Sequence, residues 1–134
     1  MSEPKVITGL DRLVKSKFKA IAGARVGILS HPASVNSQLE HIVDLIVSSK
    51  KCKVIRLFAP EHGFRGAAQD MVSVDDTLDP RTKLPVVSLY GNSFQSLIPK
   101  DEAIADLDIL VVDLQDVGSR YYTFTQTLAL SMEV

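Results

Sequence analysis

Several residue types that mark particular protein classes are scarce in these 134 residues. A single cysteine, Cys52, excludes an internal disulfide. The chain has 15 Lys and Arg residues and 16 Asp and Glu residues, which gives a net charge of −1. It therefore lacks the excess of basic residues that binding to nucleic acid or to an anionic membrane surface requires. No apolar run approaches the roughly 20 residues that span a bilayer. Residues 1–5 show no secretory signal, so the sequence as it stands predicts a cytoplasmic protein without nucleic-acid or membrane partners.

What the sequence does contain is the composition of one globular domain. Hydrophobic residues make up 46% and charged residues 23%, which excludes intrinsic disorder. A chain of this length buries about two-thirds of the surface that it exposes when unfolded. Cys52 lies in an apolar run and is interpreted as a small core residue, because no neighbouring His or Cys would lower the pKa of its thiol.

Apolar runs alternate with helix-length segments along the chain. The runs predict strands over residues 25–29, 53–58, 85–89 and 107–114, and an apolar stripe at helical spacing predicts a helix over 10–21. Ser37 and Glu40 have the spacing of a capping box ahead of a second helix, whose predicted apolar face is Leu39, Ile42, Val43 and Ile46. Segments 93–105 and 119–134 are also predicted to be helical, whereas residues 59–84 lack periodicity.

This alternation predicts a three-layer α/β domain, Rossmann-like or flavodoxin-like, with a mainly parallel sheet covered on both faces. The domain would span residues 1–134. The last residues, 131–134, continue a helical pattern without a residue that ends a helix. We therefore expect an incomplete, truncated domain, the N-terminal fragment of a longer chain whose C-terminal domain is missing.

Polar and unusual residues follow the predicted strands. Ligands of parallel sheets bind outside the carboxyl ends of the strands, where helix N-termini face the crevice. The loops in question contain Ser30-His31-Pro32, Pro60-Glu61-His62-Gly63-Phe64-Arg65-Gly66, Tyr90-Gly91-Asn92, and residues 113–122. Four independent loops at one edge predict a ligand site there.

Three carboxylates at this edge are candidates for catalysis. Glu61 directly follows an apolar strand, where partial desolvation would raise its pKa towards neutrality, as a general acid requires; alternatively it pairs with Arg65 or caps a helix. Asp113 closes the last strand, a usual place for a catalytic or orienting carboxylate. Asp116 is a further catalytic candidate, a turn residue or a helix cap.

The other polar residues at this edge are candidates for binding a ligand. Arg120 can hold a carboxylate or other anion bidentately, and Tyr121 and Tyr122 each offer an apolar face with a hydroxyl tip. The alternative is a solvated arginine beside a core tyrosine, above all for Tyr122. His31 and His62 lack the spacing of metal-ligand motifs, which favours a structural or substrate-contacting role and predicts no metal. The dinucleotide fingerprint, the P-loop and the nucleophile elbow are absent from the sequence, so no cofactor is predicted.

Two of these motifs resemble the N-terminal, Rossmann-like part of the exo-β-N-acetylmuramidase family, long catalogued as a domain of unknown function. They are Glu61-His62-Gly63-Phe64-Arg65-Gly66 and Asp113-Leu114-Gln115-Asp116-Val117-Gly118-Ser119-Arg120-Tyr121-Tyr122-Thr123. Supporting matches are Gly9-Leu10-Asp11, residues 24–33, Asp79-Pro80-Arg81-Thr82 and residues 84–91. The resemblance implies a glycoside hydrolase that releases N-acetylmuramic acid from the non-reducing end of peptidoglycan fragments during cell-wall turnover.

The resemblance also implies roles for individual residues. Glu61 is expected to be the general acid, with Asp116 or Asp113 as the second carboxylate. Residues expected to bind the sugar are His62, Arg65, Gln115, Arg120 and Tyr121. Of these, Arg120 would hold the lactyl carboxylate that distinguishes muramic acid from glucosamine.

The resemblance further implies a longer enzyme. Members have a second domain that helps to close the cleft, so the 134-residue fragment alone is expected to be inactive. Members are often exported, which leaves a periplasmic or secreted location open. The family has Asn where this chain has His31, and the resemblance therefore assigns His31 no direct role.

Two other function classes would use the same residues. A non-catalytic peptidoglycan- or sugar-binding module would bind muramyl ligands without releasing product. A metal-dependent hydrolase built on Asp113, Asp116 and Glu61 would respond to EDTA and Mg²⁺, unlike a glycosidase with two carboxylates.

Overall fold

A computed structural model of the chain describes residues 6–61 and 77–134. In chain order the elements are α1 (Gly9–Lys15), β1 (Arg25–Ser30), α2 (Ile42–Ser49), β2 (Lys53–Ala59), β3 (Thr77–Leu78), β4 (Pro85–Ser88), α3 (Asp101–Ile104), β5 (Ile109–Asp113) and α4 (Phe124–Met132). Short 3₁₀ helices lie at Lys19–Ile21 and Phe94–Leu97. None of the helices in these two ranges is long and apolar enough to cross a membrane.

The strands form one sheet in the order β3-β4-β2-β1-β5. Strands β4, β2, β1 and β5 are parallel, and β3 is an antiparallel edge strand on β4. The chain passes from β1 to β2 and β4 on one side and then returns to β5 on the other. The sheet therefore has a topological switch point between β1 and β5, the place where such sheets bind ligands.

Alternate residues of the strands build an apolar cluster on each face of the sheet. One cluster joins Ile28 of β1 to Leu10 of α1 and Ile46 of α2. The other joins Phe58 of β2 to Ala103 of α3. Helices thus cover both faces, which confirms the predicted α/β fold with a mainly parallel sheet.

Cys52 packs, partly buried, against the first of these clusters. Burial raises the pKa of its thiol, because the thiolate would lose hydration. Both observations fit the predicted structural role.

The first helix is shorter than its apolar stripe predicts. It ends at Lys15, and the left-handed residues Lys17 and Phe18, with φ of 56° and 60°, break the helical path. The Phe18 amide donates to the Leu13 carbonyl at 2.9 Å and closes the turn. Phe18 and Ile21 are nevertheless buried, so the stripe correctly predicts burial although the helix does not continue.

The capping box predicted at Ser37 and Glu40 is wrong. The N-cap of α2 is His41, whose Nδ1 accepts the Val43 amide hydrogen at 3.3 Å. Leu39, predicted on the apolar face of this helix, is 82% exposed and has a φ of 62°. The helix therefore begins later than the polar spacing suggested.

Ser37 is bound instead to the first helix. Its amide and hydroxyl both donate to Asp11 Oδ1, at 3.1 and 3.0 Å. Asp11 also forms a capping box with Thr8 at the start of α1. Hydrogen bonds, first of all from the Ser37 amide, lower the pKa of Asp11 to about 2. Asp11 thus ties the β1–α2 loop to α1.

The end of the non-periodic segment is a hairpin between β3 and β4. Its turn contains the buried Asp79, whose Oδ2 accepts the Thr82 amide hydrogen at 2.8 Å and the Thr82 hydroxyl hydrogen at 2.6 Å. Arg81 on the same turn forms an ion pair with Asp44 of α2 at 2.8 Å. The Asp79-to-Thr82 motif therefore has a structural role in holding the hairpin against α2.

Gly27 of β1 leaves room for the second apolar cluster. A Cβ atom at this position would lie 2.6 Å from Leu107 Cδ1 and 2.9 Å from Phe58 Cε2. We expect Gly27→Ala to lower the free energy of unfolding by about 1–3 kcal/mol, because these packed side chains must shift. Urea unfolding measures the change. Gly9→Ala, whose Cβ would meet nothing within 4 Å, should keep wild-type stability or gain slightly. Equal stability of Gly27→Ala and the wild type would contradict this packing.

Candidate active site

The loops that follow β1, β2 and β5 contact one another at the carboxyl edge of the sheet. Glu61, two residues after β2, accepts a hydrogen bond from the Thr123 hydroxyl at 3.1 Å. His31, directly after β1, accepts the Gln115 amide hydrogen on Nε2 at 3.2 Å. Gln115 and Thr123 both belong to the β5–α4 loop, residues 114–123, which therefore joins the loops after β1 and β2.

Glu61 is partly buried at the rim of this edge. Thr123 occupies the N-cap position of the described helix α4 but makes no side-chain capping bond to it. Its hydroxyl donates to Glu61 Oε2 and so orients the carboxyl group. The two residues are 62 positions apart, and no local sequence pattern marks this contact.

Asp113, the last residue of β5, is half-buried and lies opposite Ser30 in the sheet register. Burial raises the pKa of its carboxyl group, because the ionised form loses hydration, and the nearby His41 acts in the opposite direction. The Asp113 backbone carbonyl accepts the Ser34 hydroxyl hydrogen. A carboxyl group in this environment holds its proton to higher pH than an exposed aspartate does.

Asp116 and Gln115 shape the first part of the β5–α4 loop. Asp116 is exposed, and its Oδ2 accepts the Gly118 amide hydrogen at 2.9 Å, so it forms a local turn. Gln115 Nε2 donates to the Ala33 carbonyl at 3.1 Å, which adds a side-chain bridge between this loop and the loop after β1.

The sugar-binding candidates later in the loop differ in exposure. Arg120 is exposed, and Tyr121 is 93% exposed, so both side chains are accessible to a ligand. Tyr122 packs its ring against Phe124 with centroids 4.6 Å apart. The remaining candidates, His62 and Arg65, lie outside the described residues.

His31 is the site residue whose position the sequence least anticipated. It is 6% exposed, and its ring meets Phe124 edge-on with centroids 5.0 Å apart. Its carbonyl accepts a hydrogen bond from His41 Nε2 at 3.0 Å. Burial, together with the nearby His41, lowers the pKa of His31. The sequence signal for this residue was a histidine that directly follows an apolar strand. Its contacts could not be read from the sequence, because its partners come from the start of α2, from α4 and from the β5–α4 loop.

An open groove of about 580 Å³ lies beside this edge, between α2 and the β3–β4 turn. None of the predicted site residues in the described part of the chain lines it. Its acidic residues are bound locally: Asp44 pairs with Arg81, and Glu40 accepts from Asn36 Nδ2 at 2.8 Å. We therefore place the candidate site at the strand ends.

Within residues 6–61 and 77–134, no three His, Cys, Asp or Glu side chains are grouped closely enough to hold a metal ion. Glu61 and Asp113 offer carboxyl groups that can donate or accept a proton, and exposed polar side chains such as that of Arg120 lie in the β5–α4 loop.

Residues 26–134 match the family model described as exo-beta-N-acetylmuramidase NamZ, N-terminal. Peptidoglycan beta-N-acetylmuramidase NamZ of Bacillus subtilis (strain 168) is 42% identical to this chain over 131 residues. The match covers 98% of this chain and 31% of that protein, so the chain spans about a third of the length of this curated relative.

Two solved crystal structures of DUF1343 family proteins from Bacteroides fragilis NCTC 9343 resemble this fold. One has a TM-score of 0.84 and 34% sequence identity, covering 97% of this chain and 32% of its own. The other has a TM-score of 0.71 and 30% identity, covering 97% of this chain and 31% of its own. The similarity therefore extends over nearly the whole of this chain.

Proposed function

The chain belongs to the exo-β-N-acetylmuramidase family, and on that premise we propose that it carries the acid catalyst of a glycoside hydrolase. The proposed enzyme releases N-acetylmuramic acid from the non-reducing end of peptidoglycan fragments. The relative from Bacillus subtilis, named as a peptidoglycan β-N-acetylmuramidase, supports this substrate class. The observation that carries the proposal is the Thr123 hydrogen bond that orients Glu61 at the carboxyl edge of the sheet.

In this proposal Glu61 is the general acid. Cleavage of a glycosidic bond builds positive charge on the sugar while the leaving oxygen gains negative charge, so a carboxyl proton delivered to that oxygen lowers the barrier. Partial burial restricts water around Glu61, and the Thr123 hydroxyl restricts its rotation. Both effects favour a proton donor held in one orientation.

Asp113 or Asp116 would supply the second carboxylate, which supports the oxocarbenium-like transition state or activates water. The two residues lie three positions apart at the end of β5 and the start of the β5–α4 loop. The loop that begins after Asp113 and contains Asp116 also contains Thr123, whose hydroxyl contacts Glu61, and this contact supports a role for one of these aspartates beside the acid.

Substrate recognition would come from the exposed part of the same loop. The Arg120 guanidinium would bind the lactyl carboxylate of muramic acid, since a fork of N–H donors matches the two carboxylate oxygens. Tyr121 would pack against the sugar ring, and Gln115, His62 and Arg65 would complete the sugar site.

We further propose that residues 1–134 act as an N-terminal domain joined to a second domain that closes the cleft. The matched relative is about three times as long as the segment that it shares with this chain. A cleft closed from one side only would leave the reacting sugar in water, so we expect this chain alone to be inactive.

The activity is tested with a chimera in which this chain replaces the matching segment of the Bacillus subtilis relative. Release of a phenol chromophore is followed from a β-linked aryl N-acetylmuramide and from the corresponding N-acetylglucosaminide. We expect the chimera to hydrolyse the muramide alone and the 134-residue chain to hydrolyse neither. The unmodified relative is the positive control, and circular dichroism verifies folding.

Two outcomes would overturn this function. A folded chimera that binds muramyl ligands without releasing product would favour a binding module. Activity lost in EDTA and restored by Mg²⁺ would favour a metal-dependent hydrolase.

A further inference from the structure

His31 lies at the topological switch point and is hydrogen-bonded through both its ring and its backbone. A backbone N–H can only donate, so the Gln115 amide at 3.2 Å requires His31 Nε2 to be the acceptor. The His31 ring is therefore neutral, with its proton on Nδ1. Its own amide donates to Ser34 Oγ at 3.0 Å, and its carbonyl accepts from His41 Nε2 at 3.0 Å.

These bonds join three parts of the fold. The Ser34 hydroxyl, bound to the His31 amide, continues to the Asp113 carbonyl at the end of β5. The His41 ring, bound to the His31 carbonyl, is the N-cap of α2. The His31 ring accepts the amide hydrogen of Gln115, the second residue of the β5–α4 loop.

We propose that His31 is a positioning residue whose neutral ring holds the Gln115 amide and thereby fixes the β5–α4 loop, and that protonation of the ring releases this loop. A protonated ring would present an N–H group to the Gln115 N–H, leaving two donors without an acceptor. That release would also displace Asp116, Arg120 and Thr123. The expected effect on hydrolysis rests on the proposed function, whereas the attachment of the loop does not.

The surroundings of the ring favour its neutral form. The His31 ring contacts the ring of Phe124, which belongs to α4. His41, at the start of α2, lies close by and is hydrogen-bonded to the His31 carbonyl. Burial is the main reason that the pKa of His31 is lowered, and His41 adds to the effect. Asp113, opposite Ser30 at the end of β5, carries a nearby carboxyl group, and burial raises the pKa of this group. The two shifts act in opposite directions on stability as the pH falls.

The sign of the His31 effect follows from proton binding. Its pKa is lower in the folded state than the ordinary value of about 6.5 in the unfolded chain, so the unfolded state binds more protons on acidification. The contribution of His31 to stability is therefore complete above about pH 6.5 and is lost as the pH falls to the lowered pKa. Asp113, whose pKa is raised, contributes stability in the opposite direction as the pH falls, so variants are needed to separate the effects of the two residues.

Two variants at position 31 separate hydrogen bonding from ionisation. In His31→Gln the side-chain oxygen lies as many bonds from Cα as Nε2 does, so the variant keeps an acceptor that does not titrate. His31→Leu keeps apolar packing against Phe124 and removes the acceptor. We expect the Gln115 amide hydrogen to exchange about 2- to 10-fold faster in His31→Leu and at the wild-type rate in His31→Gln.

Nitrogen NMR of the 134-residue chain tests the proposal without an activity assay. At neutral pH we expect a ¹⁵N–¹⁵N coupling through the hydrogen bond between Gln115 N and His31 Nε2, and its loss as the His31 ring titrates. The Gln115 amide shift should follow the same titration in the wild type and in Asp113→Asn, but not in His31→Gln. A Gln115 signal that is indifferent to the His31 titration would overturn the proposal.

The chimera provides the functional measurement. The acid limb of its pH–rate profile should move to lower pH in His31→Gln, because loop release no longer accompanies acidification. Identical acid limbs would overturn the effect on catalysis. If the wild-type chimera is inactive on the muramide, the proposed function fails, while the NMR titration still decides the role of His31.

Discussion

Replacing Glu61 by glutamine is expected to slow hydrolysis of a muramide with a weakly acidic leaving group by roughly 10²–10⁴-fold, the usual contribution of a general acid. Glutamine nearly preserves the shape of glutamate, and its carbonyl oxygen can still accept the Thr123 hydrogen bond. It has no dissociable proton, so the leaving oxygen would depart as an anion. The loss should appear in kcat of the chimera, with its thermal midpoint unchanged.

Glu102→Gln is the matched control for this substitution. Glu102 is an exposed residue of α3, where its backbone carbonyl accepts from Arg56, and the side chain lies outside the candidate site. The control should retain the wild-type rate and thermal midpoint. Near-normal turnover of the muramide with the weakly acidic leaving group by Glu61→Gln would exclude Glu61 as the acid.

Replacing Arg120 by alanine is expected to lower kcat/KM for the muramide about 10- to 100-fold. A hydrogen bond to a charged group contributes about 1.5–3 kcal/mol, and Arg120 is proposed to bind the lactyl carboxylate through such bonds. Arg120→Lys keeps the positive charge without the fork of donors, and its rate should lie between those of the wild type and Arg120→Ala. The exposure of Arg120 makes a change in fold stability small.

A substrate modification provides the control for Arg120. When the lactyl carboxylate is converted to its amide, the wild type and Arg120→Ala should hydrolyse the substrate with nearly equal kcat/KM. If Arg120→Ala lowers kcat/KM by the same factor for the acid and the amide, its contribution does not involve this carboxylate.

The sheet was predictable because its strands are short apolar runs. Residues 25–29 and 53–58 each match an observed strand within one residue at either end, since burial on both faces leaves little room for polar side chains. Helix ends were less predictable. Ser37 has the spacing of a capping box, yet its amide and hydroxyl donate their hydrogen bonds to the Asp11 carboxylate, which lies on another element.

The site was predictable at the level of loops and not of contacts. Parallel strands bring their carboxyl ends to one edge, which places Glu61, His31 and Asp113 near one another from sequence order alone. Which side chains touch depends on the path of the β5–α4 loop. The hydrogen bond from Thr123 to Glu61 joins residues 62 positions apart, and the one from Gln115 to His31 joins residues 84 positions apart. Neither contact is marked by a local sequence pattern.

The role of Glu61 as proton donor is tested most directly with a series of aryl muramides whose phenol leaving groups differ in pKa. Wild-type and Glu61→Gln chimeras are compared on each substrate. An acidic phenol departs without protonation, so the rate deficit of Glu61→Gln should be small there and grow steadily as the phenol pKa rises. A deficit of the same size for every phenol would contradict the assignment of Glu61 as the general acid.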